Sequence, residues 1–377
     1  MRQVLLIILV LVSISASYSQ RSPINLEISS TVDTSNSEIS QVIRLWENYL
    51  NSKPDSNHVN PFWSEEEQSQ YKPYDLVAHT WWGVSLYGWL GRCHTQVLSV
   101  SKIEDSYIIR TMLYHLQSND SGHVSVISII KTGVRPENGT YKLCNALTIN
   151  TSHWPKEQVG SIKFVFPPDH TFNPTLARKM SNFVDSLAKD WQVPVVPIDY
   201  YFAEDIERVA KALGFDYWPG EGNEIGPRGL VDTKNRIAYS GGSNEWYPHE
   251  MVHLYIFPLY PNAHHYFHEG YATLVGGSAG HDLLWHLKRN YDYLKAHPEI
   301  DALTFKGVDL YVTAPYFIGG LLCKMAMEKG GIAVVRKLMT YGNEDKDLYR
   351  AIKDVFGIDK ENVNSFLRLK LAEYAAK

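Results

Sequence analysis

Two histidines four residues apart, His249 and His253, flank Glu250 in Tyr247-Pro248-His249-Glu250-Met251-Val252-His253-Leu254, and this spacing restricts the local fold more than any other feature. Four residues is close to one helical turn, so on a helix both imidazoles leave one face and can share a tetrahedral zinc. Pro248 suits the first turn of that helix, where a missing N–H costs nothing. Glu250 projects beside the same face. A carboxylate there can hydrogen-bond a metal-bound water and accept its proton. With 15 histidines in the chain, a chance H-E-x-x-H has odds on the order of a few per cent. A third ligand therefore decides the matter.

Pro258 and Pro261 end the first helix, and a second is predicted from around His264-His265-Tyr266-Phe267-His268-Glu269-Gly270-Tyr271-Ala272. Folded back on the first, it offers His264, His265, His268 and Glu269 as candidates for the third ligand. Glu269 is the expected one. Glu269-Gly270-Tyr271-Ala272 follows the pattern Glu-Gly-x-Ala, in which Glu binds metal and the small residues let two helices approach. His268 is then expected behind the site or on the surface, with His264 and His265 flanking the cleft. Three protein ligands leave a zinc position open to water, whereas structural zinc is usually closed by four.

His249-Glu250-x-x-His253 followed by Glu269-Gly270-x-Ala272 resembles the gluzincin metallopeptidases, the group that contains thermolysin and the zinc aminopeptidases. Tyr311-Val312-Thr313-Ala314-Pro315-Tyr316-Phe317-Ile318-Gly319-Gly320 is similar to the aminopeptidase stretch in which a Tyr, three residues before a Gly, starts a helix. The resemblance implies a thermolysin-like, mostly helical catalytic domain. It also implies zinc on His249, His253 and Glu269, with Glu250 as general base and Tyr316 donating a hydrogen bond to the oxyanion; Tyr311 is the alternative donor. The implied substrate is a peptide or protein.

The likeness covers about Phe172 to Lys377 and has gaps. Only 15 residues separate His253 from Glu269, a shortened connection, and the Gly-x-Met-Glu-Asn motif that holds a substrate's free amine is absent. Glu245, just before the zinc helix, either takes that amine-binding part or complements a helix's positive end. Ile237-Ala238-Tyr239-Ser240 is expected to be the cleft's edge strand, able to pair with an extended peptide.

The rest of the chain is read as α+β. Residues 1–19, with Arg2 and an apolar run from Val4 to about Val12, look like a secretory signal peptide rather than a span, which needs ~20 apolar residues. The mature protein, expected to start near Gln20, would be secreted or periplasmic. No later segment is apolar enough to span a bilayer. The remaining length suggests two domains. In the first, residues 20–168, a helix over Ile39–Leu50 precedes strands at Val97–Val100, Tyr107–Tyr114, Val124–Ile130, Tyr141–Ile149 and Ser161–Phe166. Asn119-Asp120-Ser121-Gly122 marks one turn and Asn138-Gly139 a tight hairpin. A helix with a curved antiparallel meander looks like the nuclear-transport-factor (NTF2) and cystatin domains. Pro167-Pro168-Asp169 is the expected boundary. Beyond it, in residues 169–377, helices are predicted over Thr175–Trp191 and Glu204–Leu213, a strand over Val195–Phe202, a strand or hairpin over Gly229–Tyr239, and helix almost throughout from Trp246.

A net charge of −5 with no Lys/Arg cluster argues against a nucleic-acid partner. Three cysteines are too few for a disulfide framework. Cys93 and Cys144 could pair in an oxidising compartment, and Cys323 is expected to be a buried apolar residue. Asn119, Asn138 and Asn150 begin glycosylation sequons. Trp46, Trp63, Trp81, Trp82, Trp89 and Trp154 give the first domain an aromatic load that is core or a ligand surface. Three functions compete: zinc-dependent peptide hydrolysis, zinc hydrolysis of a non-peptide amide or ester, and a binding or scaffold protein with structural or vestigial zinc.

Overall fold

Asn36 begins the first helix by accepting hydrogen bonds from the backbone N–H of Glu38 and Ile39 on its side chain. In a computed structural model of the protein, residues 24–52, 59–80, 92–116, 123–218, 221, 229–242, 244–308 and 313–377 are described. The leader at 1–19, Asn119, Trp81, Trp82, Trp89 and Tyr311 lie outside them. The chain folds as two units: residues up to Ala146 together with Phe215–Trp218, and Leu147–Gly214 together with Pro219–Lys377.

The first unit holds β1 (Leu26–Ile28), α1 (Ser37–Asn51), α2 (Glu65–Gln70), α3 (Leu76–Thr80), β2 (His94–Ile103), β3 (Ser106–Leu116), β4 (Val124–Glu137) and β5 (Thr140–Asn145). The strands lie in that order, with β1 parallel to β2 and the rest antiparallel. A short strand from later in the chain, β9 (Phe215–Tyr217), also pairs with β4. Asn138 and Gly139, at φ 51° and 77°, form the expected two-residue hairpin. α1 buries Val42, Ile43, Trp46, Tyr49 and Leu50. Trp46 stacks on Tyr49 at 5.6 Å, and Trp63 lies 5.2 Å from Tyr49 and 5.1 Å from Tyr74. These two tryptophans are core, not a ligand surface. Cys93, Cys144 and Cys323 are all free thiols, so the Cys93–Cys144 bridge is not formed.

The boundary falls earlier than Pro167-Pro168-Asp169. The strand expected over Tyr141–Ile149 stops at Asn145 and passes into α4 (Ala146–Asn150). β6 (Lys156–Val159) and β7 (Ile162–Val165) then belong to the second unit, because β7 pairs in parallel with β8 (Ile198–Ala203). With β10 (Gly229–Asp232) and β11 (Ile237–Gly241) they build a five-stranded sheet in the order β10-β11-β8-β7-β6. Ile237–Ser240 is therefore an inner strand between β8 and β10, and among the described residues β10 is the edge. The second unit is thus mixed α/β rather than mostly helical; its sheet was legible only as separate strands.

α5 (Pro174–Trp191) and α6 (Ile206–Leu213) accompany this sheet. The helices α7 (Pro248–Leu259), α8 (His265–Gly276), α9 (Leu283–Ala296), α10 (Ala314–Met339), α11 (Asp345–Phe356) and α12 (Val363–Ala375) follow. One apolar core runs from Ile162 to Tyr374 and includes Cys323, as expected. α10 turns at Gly330–Gly331, where Gly331 has φ +64°. Among the described residues no helix is long and apolar enough to cross a membrane.

Candidate metal centre

α7 is buried from Pro248 to Ile256, so its polar side chains are held inside the second unit by an otherwise apolar helix. His249 and Glu250 are 7 % exposed and His253 4 %. Pro258 falls in the last turn, Tyr260 closes the helix, and α8 starts after His264, whose ring accepts a hydrogen bond from the Tyr266 N–H. This short return brings Glu269 back over α7. Glu269 Oε2 lies 3.2 Å from His249 Nε2 and 3.5 Å from His253 Nε2. One ligand atom from each residue lies within 4.8 Å of the others.

Small residues make that approach possible. Gly270 on α8 crosses directly over Gly319 on α10, and a β-carbon at either would overlap the other helix's backbone. The crossing also brings Tyr316, one turn before Gly319, to the site. Its ring stands 5.9 Å from that of His249, and the Glu269 carboxylate acts on its hydroxyl. Gly229 plays a similar part on β10: a β-carbon there would lie 2.6 Å from Glu250 Oε1. A side chain there would have to displace the Glu250 carboxylate or the Tyr247 ring.

Each titratable group responds to its burial and neighbours. Burial raises the pKa of Glu250, and the nearby histidines oppose the shift only in part. For Glu269 burial also pushes up, but His253 and His249 outweigh it and hold the carboxyl below its ordinary range. Burial lowers His249, while the hydrogen bond to Glu269 and the charges of Glu250 and Glu269 carry it above its usual value. Tyr316 is raised by burial first and then by the charges of Glu269 and Glu250, so its hydroxyl keeps its proton.

The donor set fits a zinc ion. His249 Nδ1 donates to the Gly277 carbonyl at 2.7 Å, so a bound metal would take the place of the proton that Nε2 otherwise gives to Glu269. The His253 ring stacks on Phe257 at 4.6 Å. Two imidazole nitrogens and one carboxylate oxygen make an N/O set suited to zinc with a position open to water. The other candidates are engaged elsewhere. His268 donates from Nε2 to the Tyr260 carbonyl at 2.9 Å, and burial depresses it to about 4. His264 caps α8, and the His265 ring lies 4.6 Å from that of His264. Buried Glu245 accepts from His170 Nε2 at 2.8 Å and from the Asn173 N–H at 2.7 Å, serving the start of α5 rather than a substrate amine. Gly229 and Gly277 escaped sequence reasoning, because their roles exist only once β10 and the end of α8 pass the zinc helix.

The site opens into a cleft of about 800 Å³ whose lining includes Gly229, Trp246, His249, Glu250, Trp285 and Tyr316. No known protein family matches the chain, and no curated protein does so. Solved structures similar to it include M1 zinc metallopeptidases. The enzyme from Deinococcus radiodurans is 13% identical, with a TM-score of 0.32 over 75% of this chain and 63% of that one. A point mutant of it gives 0.33 over 75% and 64%. A two-domain M1 zinc metallopeptidase bound to L-arginine gives 0.31 at 13% identity. The chain spans less than two thirds of the length of these structures. The likeness is coarse.

Proposed function

We propose that this chain is a secreted zinc-dependent peptidase, in which His249, His253 and Glu269 hold the metal, Glu250 is the general base and Tyr316 assists the oxyanion. One observation carries the reading: His249 Nε2, His253 Nε2 and Glu269 Oε2 converge within 4.8 Å beside the buried carboxylate of Glu250, in a cleft wide enough for a peptide. Among the described residues this cluster has three members, not the four that close a structural site. That favours catalysis over a scaffold. Placement outside the cytoplasm rests on the leader-like residues 1–19.

A bound zinc supplies Lewis acidity and lowers the pKa of its water to about 7. The protein's own residues do the rest. Glu250 takes the proton of the attacking water on its carboxylate and delivers it to the departing amine; a carboxyl raised by burial suits both halves of that transfer. Tyr316, still protonated, turns its hydroxyl from Glu269 to the oxygen that gains charge as the carbonyl is attacked. β10 offers an edge for an extended peptide, and Gly229 keeps that edge close to Glu250. The test is metal analysis of purified protein, then incubation with a complex peptide mixture and mass spectrometry with and without a chelator. One zinc per chain and chelator-sensitive cleavage are expected. Zinc-free protein that cleaves equally well overturns the reading.

A further inference from the structure

The chain leaves α8 through Gly276-Gly277-Ser278-Ala279-Gly280-His281, a stretch that lines the cleft and leads into α9. A β-carbon at Gly276 would lie 2.8 Å from the His249 backbone nitrogen, so the stretch begins against the start of α7. Gly277 has φ +74°, and a β-carbon there would lie 2.6 Å from the His281 carbonyl oxygen; glycine alone meets both demands without strain. Ala279 and Gly280, at φ 48° and 80°, form a two-residue turn. It is closed by the Ser278 N–H on the His281 carbonyl at 2.9 Å and the His281 N–H on the Ser278 carbonyl at 3.0 Å.

The Gly277 carbonyl and the Ser278 N–H belong to one planar peptide unit and point in opposite directions. With the N–H fixed on His281, the carbonyl is aimed at His249 Nδ1, from which it accepts at 2.7 Å. The next carbonyl, that of Ser278, accepts twice, from the His281 N–H and from His286 Nε2 at 2.8 Å. His286 is 1 % exposed and shares the inner face of α9 with Leu283, Leu287, Asn290 and Leu294. Arg368 holds the far end of that helix by donating to the Leu294 carbonyl at 2.7 Å. A line of contacts therefore runs from the core through His286 and two successive carbonyls to the His249 ring.

We infer that His286 is a positioning residue for His249, acting through the Ser278 and Gly277 carbonyls. The inference rests on the reading of His249 as a metal ligand. A hydrogen bond at Nδ1 fixes the plane of the ring and the nitrogen it presents to a metal. Its acceptor here sits in a glycine-rich loop, which has more conformational freedom to lose than other backbone. His286 removes that freedom by tying the loop to a packed helix. This accounts for a polar ring at a site where a hydrocarbon would pack without the cost of burying an N–H. A tie that served stability alone would leave the hold on the metal unchanged.

The test measures zinc affinity of the folded protein by competition with a chromophoric chelator. Wild type is compared with His286→Leu, which fills the space without an N–H, and His286→Gln, which keeps an N–H at similar reach. Leu287→Ala, equally buried on α9, loosens the helix without removing the bond and serves as the stability control. His286→Leu is expected to bind zinc about tenfold more weakly, the low end of the loss when a ligating histidine's outer partner is removed. His286→Gln should regain most of that loss, and Leu287→Ala should bind as wild type does. Unchanged affinity in His286→Leu, or an equal loss in Leu287→Ala, overturns the inference. The Ser278 carbonyl keeps its bond from the His281 N–H in every variant, which favours folding. Should His286→Leu still fail to fold, His286→Asn replaces it, with the amide of Gln on a shorter stem; equal affinities for Asn and Gln then overturn the inference. A second readout needs no metal. In zinc-free protein with nitrogen-15-labelled histidine, the His249 Nδ1–H, assigned by its loss in His249→Gln, should exchange with water about tenfold faster in His286→Leu, or in its replacement, than in wild type. Equal exchange rates overturn the inference. Wild type that binds no zinc refutes the metal centre itself, and the exchange rates then decide alone whether His286 holds the His249 ring.

Discussion

A single methyl group added at Gly270 tests the helix crossing that joins the two halves of the site. A β-carbon there would lie 2.6 Å from Gly319 Cα and closer to the Gly319 carbonyl. Carbon atoms rest at about 3.5–4.0 Å, and the Gly319 carbonyl carbon would lie at 2.1 Å, so α8 and α10 must part by about 1–2 Å. The obstacle is backbone, and no rotamer change relieves it. Overpacking costs about 1–3 kcal/mol, and the better helix propensity of alanine offsets about 1 kcal/mol. A net loss of up to about 2 kcal/mol lowers Tm by up to roughly 8 °C in a unit of this size. The functional effect is larger, because α8 carries Glu269 and α10 carries Tyr316. A displacement of about 1 Å can cost about 100-fold in rate. Gly270→Ala is therefore expected to fold, melt earlier and lose about two orders of magnitude of peptide turnover, by calorimetry and mass-spectrometric assay. Gly320→Ala is the control. Its new β-carbon meets Leu283 Cδ1 at 2.5 Å, the far end of a flexible side chain that can turn away. Gly270→Ala matching wild type in both Tm and turnover, or Gly320→Ala failing as badly, would refute the reasoning.

Two further outcomes are expected. Tyr316→Phe should retain zinc and substrate KM but lose about 100-fold or more in kcat, as removal of one oxyanion donor does; unchanged kcat removes Tyr316 from the chemistry. His264→Asn should flatten the acid limb of stability. Burial, and then the like charge of His265, hold His264 below its ordinary pKa. The unfolded chain therefore binds more protons as pH falls below about 6.5, and stability is lost by up to ~1.4 kcal/mol per pH unit from this group. Asn keeps the cap on α8. Equal slopes for both proteins in denaturant titrations between pH 7 and 5 contradict the assignment.

Features set by neighbours in sequence were legible before the fold. The i,i+4 histidines require only one helical turn, Asn138-Gly139 turns within its own two residues, and Asn173-Pro174 starts α5 where the helix was expected within a residue or so. Glu269 was legible because Gly270 and Ala272 mark a close helix approach. What depended on distant partners was not. Ser161–Phe166 alternates like any strand, but its parallel pairing with β8 places it in the second unit. Ile237–Ser240 has no local mark of being an inner strand; β10 beside it decides that. Phe215–Tyr217 joins β4 across a long separation, and Gly229 acquires its role only where β10 meets Glu250.

The central claim is that Glu250 moves the proton in a site whose metal is held by other residues. It is tested most directly by measuring zinc content and peptide hydrolysis together in wild type and Glu250→Gln. The variant should bind one zinc as wild type does and lose about 100- to 10,000-fold in turnover, the usual worth of a general base. Full hydrolysis by Glu250→Gln with its zinc in place would contradict the account.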